Sequence, residues 1–535
     1  MTMRQLGAWV LAVLVAGPAL AGGQAIDADD YPSLDARQIG HLRHFVKLSR
    51  QLPGDWSEMG EYASHTSEKP YRYQLAFMLY AAASVQFNVT PAYRELYQDL
   101  IGRLMVQLRH YDIWGNWVNA SRGGGWSDPK PLSELDVGWI DPVKRHNIMY
   151  SAHLFQGAAT HEALYRTGEF MQPGSLTLVW PQTLWGPGAT KFEYSLPKIA
   201  DNFIAQFREN DYMGIPCEPN ALFPECPQHA LLGLILYDRV AGTEYSTEIM
   251  PRYMRQFEEL KYLDEETGSF MAAWKVKQGE PFYFASGIDG WTGTFMHAWA
   301  PEYIQRVYPR QRDLHVDALL SSTEAPGEPP AATSSLLGFM AMMASEVGDA
   351  ETVDRILDHA DRHYRPVWRE GRYYYPRNDG PVSDEDDHLA VTATAGNAML
   401  PFARLNPANG LFRLHNETWP ESYFEQPYIA AVDLGAVGVR QAIYDAERET
   451  LVVGLEPGPL KLAETRFEVR NLDRGTAWDL FQDGRFVATI AEGAPLAEHG
   501  VEWQEGEPVR ISVDATAPVS MVLRKSPEGQ AVAGL

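Results

Sequence analysis

The chain has 535 residues, 45% of them hydrophobic and 12% aromatic, with a formal net charge of −25 at pH 7. That length exceeds one ordinary domain, and the apolar content is enough to bury a sizeable core, which excludes disorder as a description of the whole. The acidic balance argues against nucleic acid and anionic membrane surfaces as partners, since both select basic patches. It leaves a small-molecule substrate as the expected partner and does not choose one.

The first elements read as an export signal, residues 1–21. Arg4 supplies a positive start, Leu6 to Leu20 is uncharged and apolar, and Ala19-Leu20-Ala21 is a small-x-small cleavage site before Gly22. The apolar run is shorter than the ~20 residues of a spanning helix, so an uncleaved anchor is the lesser alternative. The expected location is periplasmic or secreted, without membrane insertion of the mature chain.

From about 38 to 405 apolar residues recur at helical spacing. The pattern predicts helices at Gln38–Gln51, Tyr73–Phe87, Pro91–Gln107, His146–Arg166, Leu196–Arg208, Pro227–Val240 and Thr247–Leu260. It continues with Gly290–Tyr308, Ser334–Ser345, Ala350–Tyr364 and Ala390–Phe402. That count suits a mainly α fold, an (α/α)6 barrel over residues 35–410, and no repeat of fixed period argues for a solenoid. Residues 118–140, with Arg122-Gly-Gly-Gly-Trp126, read as a long surface loop or lid, and residues 321–335 as an exposed inter-helix loop.

Near 430 the period changes to that of strands: Ala431–Val439, Glu449–Gly454, Arg466–Arg470, Ala477–Gln482, Arg485–Ile490, Val509–Val513 and Val519–Leu523. These predict a C-terminal antiparallel β-sandwich over residues 430–525, read as a packing or capping module in preference to a glycan-binding one, with no metal or nucleophile motif in it.

Three segments concentrate reactive side chains. In Asp141-Pro-Val-Lys-Arg-His-Asn147-Ile-Met149-Tyr150-Ser-Ala-His153, Met149 and His153 lie four apart on one helical face, where an imidazole can move a proton. A histidine there is also a common core residue, and His146 is too far from His153 for a metal pair, so no metal is expected. The loop Gly214-Ile-Pro-Cys217-Glu218 to Cys226 is bounded by prolines. Its cysteines either close a small disulfide, the simplest outcome in an oxidising compartment, or form a thiol and acid cluster with Glu218. The third is Tyr71-Arg-Tyr73, whose phenol Tyr73 can donate to a substrate oxygen or merely anchor a helix end.

Together these segments resemble the linalool dehydratase/isomerase family over about residues 35–410. The resemblance rests on Gly138-Trp-Ile-Asp-Pro-Val-x-x-x-Asn-Ile-Met-Tyr-x-x-His-Leu154, on Gly214-Ile-x-Cys-Glu-Pro through Cys226, and on Tyr237-Asp-Arg-x-x-Gly-Thr-Glu-Tyr245. Weaker echoes are His65-Thr66, Trp114-Gly-x-Trp117, Trp291-Thr292 and Tyr308-Pro309. It implies an (α/α)6 barrel and a cofactor-independent lyase or isomerase that dehydrates or isomerises an alcohol-bearing, mainly apolar, terpenoid-like molecule. It further implies a pocket of Tyr73, Met149, His153, Cys217, Glu218 and Cys226, with Trp291 as a binding residue. The family's pattern is broken at Lys47, Pro53 and Gly287, where it has an acid and two tyrosines, and at Trp56, where it has a cysteine. Asp289 is placed to supply a replacement carboxylate for substrate binding.

Two other classes fit the same features. An exported carbohydrate-active hydrolase or lyase needs a second carboxylate facing Glu218, with Asp141 or Asp289 as the choices. A non-catalytic periplasmic binding protein needs only the pocket. No cofactor is expected, because neither a dinucleotide fingerprint nor a phosphate loop occurs. Homo-oligomerisation is compatible with the sequence.

Overall fold

The computed structural model describes residues 26–59, 71–182, 188–283, 288–322, 330–376, 389–493 and 500–526. The export signal, His65-Thr66 and Gly287 therefore lie outside the described residues, as does the middle of the expected 321–335 loop.

The protein is helix-rich, with a C-terminal region of antiparallel sheet. Numbering the helices of six or more residues gives α1 (Ala36–Ser49), α2 (Tyr71–Asn88), α3 (Arg94–Leu108), α4 (Ile148–Tyr165), α5 (Leu196–Glu209), α6 (Cys226–Ala241) and α7 (Tyr245–Glu259). They continue with α8 (Asp289–His297), α9 (Pro301–Ser322), α10 (Pro330–Val347), α11 (Ala350–His363), α12 (Leu400–Leu405) and α13 (Gly410–Asn416).

Two kinds of helix alternate. Helices α2, α4, α6 and α8 are buried along nearly their whole length and carry almost no charge. Helices α3, α5, α7 and α11 bury a single stripe, such as Ile199, Ala200, Phe203 and Phe207 on α5, and turn charged residues outward. The buried elements contact one another in a closed circuit, α2 to α4, α6, α8, α10, α12 and back to α2. Small residues set two of these contacts. A Cβ on Gly233 of α6 would stand 2.5 Å from the Phe155 ring of α4, and one on Gly290 of α8 would stand 2.5 Å from the backbone of Phe339 on α10. Close approach at Gly290 stacks Trp291 on Phe339, centroids 4.8 Å apart.

Most predicted helices fall within a few residues of their observed bounds. The expected helix Gly290–Tyr308 is instead two, α8 and α9. Pro301 has no N–H to continue α8 and begins α9, which then runs through Pro309. The expected helix Ala390–Phe402 is a five-residue π-turn, Ala395–Met399, leading into α12. Short hairpins interrupt the helical region: β1 (Leu176–Trp180) with β2 (Thr190–Tyr194), β3 (Ala221–Leu222) with β4 (Ala273–Lys275) and β5 (Glu280–Phe282), and β6 (Val367–Arg369) with β7 (Arg372–Tyr374).

After α13 come β8 (Tyr428–Ala430), β9 (Val437–Asp445), β10 (Thr450–Pro457), β11 (Glu464–Arg470), β12 (Trp478–Gln482), β13 (Arg485–Ile490), β14 (Val501–Glu502), β15 (Val509–Asp514) and β16 (Val519–Lys525). They form a five-stranded sheet, β13-β12-β16-β10-β9, and a four-stranded sheet, β14-β15-β11-β8. Of the expected strand Ala431–Val439 only Val437–Val439 is strand, at the start of β9, and the residues before it form a turn between β8 and β9. Ala431 has φ +52°, and Asp433 accepts the backbone N–H groups of Gly435, Ala436 and Val437 in a turn. The sheets hold the helical part by backbone bonds: Leu34 N–H to Arg440 C=O at 2.7 Å, Ala92 N–H to Ala442 C=O at 2.9 Å, and Ile429 N–H to Ala92 C=O at 2.8 Å. Among the described residues no helix is long and apolar enough to cross a membrane.

Candidate functional site

A cavity of about 1310 Å³ opens at one end of the buried helices. Tyr73, Met149, Cys217, Glu218, Cys226 and Trp291, all named from the sequence, line it together. No residue beyond Met399 does, so among the described residues the sheets contribute nothing to this wall.

Local chemistry explains how the loop before α6 presents its groups. Asn147 takes a left-handed φ of 51° as N-cap of α4, and its N–H donates to Cys217 C=O at 2.9 Å, which sets Met149 beside the cysteine loop. That loop is closed by Cys217 N–H to Ala221 C=O at 3.0 Å and continues into β3. Asn220, at φ +71°, donates to Ser127 C=O at 2.6 Å and accepts from Lys277 N–H at 2.6 Å. One side chain thereby ties the cysteine loop to the 118–140 segment and to the β4–β5 hairpin. Asn119, Ala120 and Gly123 to Ser127 form part of the cavity wall.

The cysteines are free, buried thiols and no disulfide joins them. Cys226 acts electrostatically on Cys217, and Cys217 on Glu218, so the three groups are coupled. Burial pushes Cys226 well above the ordinary thiol range, helped by its bond to Cys217. The thiol hydrogen bond from Cys226 lowers the pKa of Cys217, but burial and the nearby Glu218 charge leave it raised. Burial likewise raises Glu218, against the Cys217 hydrogen bond and the Arg72 charge, and its Oε2 is enclosed without a partner. Both thiols are therefore neutral at pH 7.

Sequence reasoning missed Glu225. It precedes Cys226 at the start of α6, lines the same cavity, and is buried with Oε2 unpartnered. Burial, with the charges of Glu218 and Asp289, raises its carboxyl to about 8, so it too is protonated at neutral pH. The available signal was its place in the Pro-bounded loop between Glu218 and Cys226.

His153 stands elsewhere than expected. It does not line the cavity; it is fully buried one layer behind Tyr73, with ring centroids 5.8 Å apart. Its Nδ1 meets the Tyr80 hydroxyl at 2.9 Å, its ring packs 4.0 Å from that of His229, and its Nε2 has no partner. Burial lowers it to about 3, so it is neutral at physiological pH and cannot serve as a ready acid. The cause is its α4 face, which points at α2 and α6 rather than into the open space.

Asp289 is also one layer back. Its Oδ1 accepts Phe270 N–H at 2.7 Å, and its Oδ2 lies 2.5 Å from Nε2 of His315, which does line the cavity. Trp291 is a wall plate held in place, its indole N–H donating to His229 Nε2 at 3.0 Å. Tyr73 packs edge-on against it at 4.8 Å, and burial raises its phenol well above the ordinary range, so it is available only as a neutral donor. Asp141 is not a cavity carboxylate: its Oδ1 caps the turn at Val143 and Lys144 and its Oδ2 accepts from Tyr194. Lys47 and Pro53 are exposed and line no part of the cavity, so the departures there do not alter its described wall. The remaining wall is largely apolar, with Phe223, Ile288, Leu314, Leu336, Phe339 and Met399 prominent.

Residues 72–381 match the family model described as linalool dehydratase/isomerase, and the chain belongs to that family. Solved structures with related helical arrangements include an α-1,6-mannanase from Salegentibacter sp. HEL1_6, at 11% identity and TM-score 0.36 over 69% of this chain and 98% of that one. An α-amylase from Clostridium perfringens is 11% identical, with TM-score 0.38 over 70% of this chain and 98% of its own. A protein from Listeria innocua is 10% identical, with TM-score 0.41 over 70% and 97%. None of these likenesses bears on the reaction.

Proposed function

We propose that this protein is a cofactor-independent lyase or isomerase that dehydrates or rearranges an alcohol-bearing, mainly apolar small molecule. The reading includes an (α/α)6 barrel over residues 35–410, supported by the closed circuit of buried helices, and a β-sandwich over 430–525. It also includes export directed by residues 1–21. The observation that carries it is one cavity in which Glu225, held protonated at neutral pH, stands with the neutral thiols Cys217 and Cys226 and with Glu218 among apolar residues such as Phe223, Ile288, Leu336, Phe339 and Met399.

Loss of water from an allylic alcohol needs a proton delivered to the leaving hydroxyl and a base at a neighbouring carbon. A carboxyl held protonated at neutral pH, as Glu225 is, supplies the first without an outside cofactor. The carbon–oxygen bond then breaks, water leaves, and the electrons of an adjacent carbon–hydrogen bond close the new double bond as a base takes that proton. Tyr73 donates to the substrate oxygen, and Trp291 with Phe339 gives a cation-like intermediate an aromatic face shielded from water.

The carbohydrate-active reading has less support, because neither carboxylate expected to face Glu218 is free in the cavity: Asp141 is committed to a turn and Asp289 to His315. The test is conversion of allylic terpene alcohols, linalool first, followed by gas chromatography, with Cys217→Ala and Glu218→Gln proteins beside the wild type. Formation of the alkene or the rearranged alcohol, lost in both variants, is expected. Binding without turnover would return the protein to the class of binding proteins.

A further inference from the structure

We propose that His315, held in one tautomer by Asp289, is the proton-accepting group of this cavity. The proposal rests on the lyase or isomerase reading for its substrate class and on its own geometry for the base.

Asp289 is buried in the first turn of α8, where a carboxylate faces the positive end of the helix. With Oδ1 taking Phe270 N–H and Oδ2 facing His315 Nε2 at 2.5 Å, the carboxylate is an acceptor on both oxygens. The imidazole proton therefore sits on Nε2, where the Ser269 hydroxyl, 3.3 Å away, is a second neighbour. Nδ1 is left with a free lone pair and has no hydrogen-bond partner among the described residues. A carboxylate bonded to one ring nitrogen fixes the tautomer and stabilises the imidazolium that forms when the other nitrogen takes a proton.

The surroundings distinguish this couple from an ordinary buried ion pair. His315 is part of the cavity wall, on the strip of α9 that also presents Leu314, Ala318 and Leu319. The cations of the same stretch are engaged elsewhere: Arg310 with the carbonyls of Glu265 and Glu266, Arg312 with Asp313 and Asp349. Across from α9, the Asp289 charge contributes to raising Glu225, so the carboxylate that holds His315 also acts on the cavity's acid.

The step balances without a co-reactant. Glu225 gives its proton to the hydroxyl, which leaves as water, and Nδ1 of His315 takes the proton from the carbon beside the breaking bond. The imidazolium and the carboxylate are then restored by proton transfer through water. His315 touches the substrate and is the catalytic base; Asp289 is a positioning residue.

The closing experiment uses the full chain labelled with 15N-histidine. Ring-nitrogen spectra of wild type, with His315→Gln to assign the signal, are expected to show the His315 proton on Nε2, and Asp289→Asn is expected to shift it toward Nδ1. A wild-type proton on Nδ1 overturns the proposal. On linalool as probe, His315→Gln is expected to lose about 100-fold or more in kcat with little change in KM. Imidazole in the buffer is expected to restore part of the rate of His315→Ala. Full kcat in His315→Gln, with an unchanged melting curve, overturns the catalytic role. A wild type inactive on every allylic alcohol defeats the functional reading, and the ring spectra then decide the Asp289–His315 couple on their own.

Discussion

The indole N–H of Trp291 donates to Nε2 of His229 at 3.0 Å, and that bond settles the protonation of a chain of buried groups. With Nε2 accepting, the His229 proton is on Nδ1 and is given to Gln156 Oε1 at 2.9 Å. The Gln156 amide then faces Nε2 of His415 at 3.5 Å, and His415 Nδ1–H donates to Leu411 C=O at 2.8 Å. Each group has one consistent role, so a cavity wall plate is braced from α8 through α6 and α4 to α13.

Trp291→Phe is expected to keep most of the ring packing but to leave His229 Nε2 buried and unpaired. The cost expected is about 1–3 kcal/mol, read from denaturant unfolding. A loss of only a few tenths would mean that water replaces the indole.

Stability is expected to fall as the solution is acidified below about pH 6.5. Burial lowers His153 to about 3, His415 to about 4 and His229 well below its ordinary value, so the unfolded chain binds protons that the folded one refuses. Melting temperature against pH should decline from near neutrality downward, and His415→Asn should flatten part of the decline.

Glu225 sets the opposite limb. With its carboxyl raised to about 8, the folded state keeps a proton that the unfolded chain releases above about 4.5. Its contribution is therefore full in acid and is lost as pH rises through that window, on the order of 5 kcal/mol in all. Glu225→Gln should be more stable than wild type at pH 8.5 and lack this limb; equal melting curves at that pH would show the carboxyl to be ordinary.

Gly290→Ala tests the approach of α8 to α10. The added methyl would meet the Phe339 backbone at 2.5 Å, and backbone yields less readily than a side-chain tip. A loss of about 1–3 kcal/mol is expected, with a changed Trp291 fluorescence as the stack on Phe339 opens. Unchanged emission and stability would show that the helices can part freely.

Much of the helical plan could be read from spacing, because buried and half-buried helices of this length carry strong periodicity. Tyr73, Met149, Cys217, Glu218, Cys226 and Trp291 do share one cavity, as the motifs implied. His153 could not be placed by spacing alone, since α4 is buried on every side and any of its faces would suit a histidine. His315 escaped notice because Arg310, Arg312 and Asp313 make its stretch look solvent-facing, and its partner Asp289 lies in another helix. The signal was the apolar strip of Leu314, Ala318 and Leu319 around it. The hairpins β3 to β7 are two or three residues each, too short for alternation to register. The break at Pro301 was legible, but the apolar residues continuing past it masked it.

The bonds from the sheets to the start of the helical part bear on the order in which the chain can fold. Gln441 donates to the carbonyls of Ala28 and Tyr31, Arg440 accepts from Leu34, and Asp445 accepts from the Tyr31 hydroxyl. The segment that leads into α1 is among the first described residues to leave the ribosome, yet its partners are made some four hundred residues later. At synthesis rates of roughly 5–20 residues per second it waits tens of seconds for them. The helical part is thus finished, at its first helix, only when β9 arrives, and a chain cut before Val437 would leave that edge open to other partners.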